Sequence, residues 1–254
     1  MRASVHALAL PVLAVLIASG CAPLRDGLEN ATEHTVTLQP TRTGALMHTV
    51  SGTFGVCVGL DGRGGRPAAW DHFLTVEDEN PAVDGMAGYQ VSVSRGESCH
   101  QRVLSQFQTL AAFDISALPP GALTRAVLRA TPLLDRQTDA PVPPGTPGQC
   151  NILRVGRATS AWPPGESIGP LVTWAPIPPP PAAFGRYARF GPVDVTRAVR
   201  AWRDGGAANT GFVITPQHDI AERNAEGIEQ ENDSFLCDLL LGRFELDVTM
   251  LIPG

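Results

Sequence analysis

The sequence predicts an all-β, antiparallel sandwich or barrel with one short helix, and three observations carry that expectation. Runs of β-forming residues recur between turn residues, at 50–60, 73–76, 89–94, 103–115, 124–130, 152–157, 171–174, 211–215, 235–241 and 244–251. The last run alternates Phe244, Leu246, Val248 and Met250 with Glu245, Asp247 and Thr249, giving one face to a core and one to water. A single segment leaves the period of two: Val195, Val199 and Trp202 are spaced for one helix face, with Asp194 and Thr196 as N-cap residues and Gly205 and Gly206 as stops.

In chain order, the first element is a targeting segment. Arg2 precedes an apolar run from Ala7 to Ala18 that is too short to span a bilayer comfortably, followed by the small residues Ala18, Ser19 and Gly20 and then Cys21. This resembles the lipobox of bacterial lipoproteins. The resemblance implies that residues 1–21 are a signal ending at a lipidated Cys21, the first residue of the mature chain, with acyl chains holding it to a membrane. Ala22 rather than aspartate after the cysteine implies, by the same resemblance, sorting to the outer membrane of the cell envelope. Residues 22–40 are polar without apolar periodicity and read as a tether, and the folded domain is expected over 41–254.

Composition narrows the function classes. The net charge of −6 argues against nucleic acid as a partner, and the use of arginine for every basic residue but histidine carries no binding inference. With Cys21 lipidated, Cys57, Cys99, Cys150 and Cys237 remain, an even count that in an exported chain reads as two disulfides with three possible pairings. Cys57 with Cys99 and Cys150 with Cys237 is the favoured pairing, because each bridge then closes within one half of the chain. No Cys-x-x-Cys or zinc-ligand spacing occurs, so no metal site is expected from the cysteines. Proline-rich stretches at 141–147 and 176–181 read as stiff surface loops, since proline gives a central strand no donor.

Catalytic motifs are lacking: there is no Gly-x-Ser-x-Gly elbow, no His-Glu-x-x-His and no phosphate-binding glycine loop. Two acidic clusters, Glu77, Asp78, Glu79 with Asp84, and Glu222, Glu226, Glu229, Glu231 with Asp233, carry oxygen ligands of the kind calcium takes. Neither has the order of a calcium loop, and both read first as solvated acidic loops. Trp202 reads as core. Trp70, beside Asp71 and His72, is the candidate for an exposed aromatic platform for a sugar ring, with Tyr89 sharing its cleft; the plainer reading is a tryptophan lying over a loop core.

Several segments also line up as ordered motifs. Phe113, Asp114, Ile115 and Ser116, then Leu118, Pro119, Pro120 and Gly121, then Ala126, Val127, Leu128 and Arg129 form the first; Ile152–Val155, Trp162, Glu166, Thr173, Trp174 and Pro176 form the second. Asp194, Val195, Thr196, Val199 and Trp202 are followed by Asn209 and Gly211–Ile214, and then by Ser234, Phe235 and 244–250. Over 103–254 this resembles the DNRLRE-type module. The resemblance implies a jelly-roll β-sandwich of the carbohydrate-binding-module kind. It leads to the expectation of a non-catalytic envelope lipoprotein that binds a glycan, with polysaccharide or an envelope protein as partner; the alternative is a structural or protein-interaction module with no sugar ligand. Residues 41–102 fall outside the resemblance and supply the first strands of the same sandwich.

Overall fold

The computed structural model describes residues 30–55, 68–95, 99–135, 140–141, 153–163, 167–168, 171–177, 192–216 and 235–253. Through them run the strands β1 (Thr32–Leu38), β2 (Pro40–Gly55), β3 (Val83–Arg95), β4 (Cys99–Phe113), β5 (Ala122–Asp135) and β6 (Ala140–Pro141). They continue as β7 (Leu153–Ala158), β8 (Ser167–Ile168), β9 (Trp174–Pro176), β10 (Val193–Asp194), β11 (Phe212–Pro216) and β12 (Phe235–Ile252). Two α-helices, α1 (Ala68–Glu79) and α2 (Thr196–Arg203), complete the described elements together with a 3-10 turn at Ile115–Ala117. The protein is mostly antiparallel sheet, curled as a sandwich or jelly roll requires, in agreement with the predicted class.

Two long strands organise the sheet. β12 pairs with β5 on one edge; its other edge meets β3 from Phe235 to Gly242 and β1 from Leu246 to Ile252. β4 pairs with β2 on one edge; its other edge meets β3 up to Phe107 and β11 from Thr109. The sheet is therefore continuous at one end, in the order β2-β4-β3-β12-β5, and forks beyond the Gly88–Phe107 pair into β1-β12-β5-β10 and β2-β4-β11-β7-β9. Thr109 stands at the fork, where its hydroxyl donates to the Met86 carbonyl at 2.8 Å. Gly85 lies against it, and a Cβ at that position would overlap the Thr109 side chain. The close approach of the two arms thus requires glycine.

The main core fills the fork. Phe113, Leu153, Val155, Phe212 and Ile214 come from one arm, and Leu123, Ala126, Leu128, Phe244, Leu246, Val248 and Met250 from the other. Helix α2 closes one end: Val199 and Trp202 join this core, and the Trp202 and Phe212 rings lie 4.8 Å apart. Thr196 does not cap the helix with its side chain; its hydroxyl accepts from the Ala126 amide at 2.9 Å and so pins α2 to β5, while Asp194 accepts from the Thr196 amide. The N-cap position is therefore Val195, and the two residues read as caps flank it, Asp194 bonding the first helical amide and Thr196 clamping the helix to β5. Gly205, at φ 73, ends the helix as expected.

Four expectations are corrected. Residues 73–76 are not a strand but part of α1, because Trp70 and Phe73 are spaced to bury one helical face in a second core with Met47, Met86, Phe107 and Leu240. The folded domain begins before Thr41: β1 pairs with β12 over Thr32–Leu38, so the segment read as tether supplies an edge strand, held by registered backbone pairing that its polar composition does not reveal. The switch from one arm to the other falls at Gln39–Pro40. The runs at 235–241 and 244–251 are one strand broken by a bulge. Pro141 and Pro176 lie in two short strands, β6 and β9, at edges of the sheet where a missing donor is tolerated.

Cys21, Cys57, Cys150, residues 22–29 and the acidic cluster 222–233 lie outside the described residues. Cys99 opens β4 opposite Gly55, and Cys237 lies opposite Tyr89. No helix among the described residues is long and apolar enough to cross a membrane.

Candidate functional site: a recess at the β12 bulge

The sequence-derived glycan platform does not form. Trp70 is only 2% exposed; its ring stacks on Phe107 at 6.3 Å with 6° between planes and lies 5.3 Å from Phe73. Tyr89 is 6% exposed and sits in register with Gln106. Successive strand residues point to opposite faces, so Trp70, packed on Phe107, and Tyr89, beside Gln106, belong to opposite faces of the sheet and cannot share a cleft. Asp71 is exposed on α1, where its backbone carbonyl accepts from the Thr75 hydroxyl.

The other tryptophans are also committed to packing. Trp162 and Trp174 are half-buried over a third cluster of Leu46, Leu110, Ala158, Val172 and Val213. Each lies over a glycine, Trp162 on Gly211 and Trp174 on Gly156, where a Cβ would overlap the indole. Trp162 donates from Nε1 to the Thr210 carbonyl at 2.9 Å, and the Arg42 guanidinium covers its ring at 5.0 Å. Beneath them Gln108, buried on β4, donates to the Val172 carbonyl at 3.1 Å and accepts from the Val172 amide at 3.0 Å, clamping the overlying segment to the sheet.

What the fold does build is a recess of about 360 Å³ lined by Arg129, Ala130 and Thr131 of β5, Arg243 and Glu245 of β12, and Pro192. Its origin is a register shift. Gly242 faces Thr131 and Glu245 faces Arg129, so Arg243 and Phe244 together oppose Ala130 alone. Phe244 turns fully into the core, and Arg243 is thrown outward at φ 50, a left-handed conformation uncommon for arginine. Gly242 permits the crossing because a Cβ there would overlap the Ala82 carbonyl. Asp84 anchors the bulge from β3, accepting from the amides of Phe244 and Arg243; its partial burial raises its pKa despite those hydrogen bonds.

The charges around the recess are unequally engaged. Arg129 donates from Nε to Asp247 at 2.6 Å, and Asp247 also accepts from the Thr37 hydroxyl at 2.7 Å. With the Arg129 side chain 53% exposed, this ion pair orients the guanidinium more than it stabilises the fold. The side chains of Arg243 and Glu245 make no ion pair with each other and have no hydrogen-bond partner among the described residues. The recess thus offers one unengaged cation, one unengaged anion, a second guanidinium fixed by Asp247, the Thr131 hydroxyl and a small apolar wall of Ala130 and Pro192. Among the described residues no three His, Cys, Asp or Glu side chains gather as a metal site.

Sequence reasoning missed this site because its making is a bulge. The available signal was Gly242-Arg243, which interrupts the continuous apolar run at 239–241 before the alternating run at 244–250.

Comparison with protein-family models, with curated proteins and with solved structures gives no match.

Proposed function

We propose that the chain is a non-catalytic lipoprotein of the bacterial cell envelope, anchored through Cys21 and oriented to the outer membrane, whose β-sandwich is a structural or interaction module. One observation carries the choice between the two readings of the sequence. Trp70 and Tyr89, the aromatics expected to stack on sugar, are packed inside, and Trp162 and Trp174 lie against the sheet. Sugar stacking needs an exposed ring face; Trp70 and Tyr89 are buried, Trp162 lies between Gly211 and the Arg42 guanidinium, and Trp174 lies on Gly156.

A glycan held by polar side chains alone is the second reading. It is favoured by the recess at the bulge, where arginine donors, a carboxylate acceptor and the Thr131 hydroxyl surround a volume near the lower end for small-molecule sites. A glycan array probed with the chain from residue 22 onward tests the choice. The proposal expects no retained neutral glycan whose binding depends on Trp70 or Tyr89; a glycan released by Trp70→Phe in a normally folded protein overturns it.

A further inference from the structure

We propose that the recess at the β12 bulge binds a small zwitterion of the amino-acid kind, its carboxylate on Arg243 and Arg129 and its ammonium on Glu245. The inference rests on reading the domain as a non-catalytic interaction module, and it names the chemistry that the module recognises.

Charge decides the ligand class. Asp247 neutralises Arg129, leaving the opposite charges of Arg243 and Glu245 around one cavity without an ion pair between them. A simple anion would satisfy Arg243 but meet Glu245 as a like charge, and a simple cation would meet the reverse problem. A ligand carrying both charges satisfies both groups. Arg243 and Glu245 flank Phe244, the residue the bulge turns into the core, and both line the recess. An ammonium and a carboxylate joined by a few bonds can each make a charge-assisted hydrogen bond of about 2.8 Å within it.

Geometry supports the same choice. A planar guanidinium matches a carboxylate with two parallel donors, and Arg129, held by Asp247, is pre-oriented for that role. The bulge commits Arg243 to the recess side of the strand by sending Phe244 into the core. Ala130 and Pro192 present a small apolar wall beside the charged groups. Asp247 is a positioning residue here, acting through Arg129.

The test is a calorimetric titration of the full lipidated chain in detergent at millimolar ligand. Alanine and alanyl-alanine distinguish a free amino acid from a peptide end; N-acetyl-alanine lacks the ammonium, alanine amide lacks the carboxylate, and N-acetylglucosamine represents a neutral sugar. Either zwitterion is expected to bind, with the acetyl and amide forms at least tenfold weaker. Arg243→Asn, chosen because asparagine tolerates left-handed backbone, and Glu245→Gln should each weaken binding tenfold or more while the melting temperature stays unchanged. Asp247→Asn should weaken the zwitterion less than Arg129→Ala does, and restoring low salt should recover part of its loss. Equal binding of the acetyl or amide form, binding of the sugar alone, or no binding of either zwitterion overturns the inference and leaves the anchored module standing. Consumption of a bound zwitterion would instead overturn the non-catalytic reading.

Discussion

Removing the Trp70 ring should destabilise the protein as a core deletion does, although the residue sits in a helix whose neighbour Asp71 is exposed. Trp70 is 2% exposed, so folding hides nearly its whole side chain. An aromatic side chain of this kind buries about 150–250 Å², which at about 25 cal/mol per Å² corresponds to roughly 4–6 kcal/mol as an upper limit. Alanine retains a part of that contact, and the cavity left between Phe73 and Phe107 adds a cost, so Trp70→Ala should lose about 3–5 kcal/mol. For a domain of this size that is a fall in melting temperature of about 6–20 °C. Trp70→Phe should recover much of it by keeping a ring stacked on Phe107. Thermal and urea unfolding of the three proteins is the assay. A loss under about 1 kcal/mol for Trp70→Ala would place the ring at the surface and refute the packing of α1 on the sheet.

Three other outcomes follow from the same packing. Trp202→Ala should cost about 3–5 kcal/mol, because the ring closes the end of the main core against Phe212; a urea midpoint unchanged from the parent would contradict this. Gly85→Ala should cost about 1–3 kcal/mol through overlap with Thr109, and clearly less in a Thr109→Ala background, so additive losses in the double mutant would show that the fork is not where the strain arises. Asp84 has its pKa raised in the folded protein by burial, so its ionisation opposes folding: stability is lost as pH rises from the unfolded carboxyl's range through the raised folded value. Asp84→Asn, which keeps an acceptor for the Phe244 amide, should therefore gain stability at neutral pH, with the gain vanishing as pH falls below the ordinary carboxylate range; a gain that persists in acid would point to another cause.

Much of the sandwich was legible from local pattern. Phe244, Leu246, Val248 and Met250 alternate because β12 has one face in the core, and Val199 with Trp202 marks α2 because a buried helical stripe has a different period. What eluded the pattern depends on distant partners. Thr32–Leu38 is polar and mostly exposed, and only pairing with β12 makes it a strand. Phe73–Val76 is short and apolar enough to read as a strand, and the receiving surface of Met47, Met86 and Phe107 makes it helical instead. The recess was illegible for a related reason: Arg129 and Glu245 are far apart in sequence, and their meeting at a bulge is set by the register of β5 on β12. Of the two readings of Trp70, the platform failed and the packed ring held, because a helix rather than a loop carries the ring inward.

The lipid anchor at Cys21 is the claim on which the envelope assignment and the role of the module depend. Cells expressing the full chain or Cys21→Ser can be fed an alkyne-tagged fatty acid and the purified proteins compared for label and for membrane partition. The parent should carry label and sediment with membranes, and Cys21→Ser should carry none while its core melts at the same temperature. Equal labelling of the two proteins, or an unlabelled parent, would contradict the account.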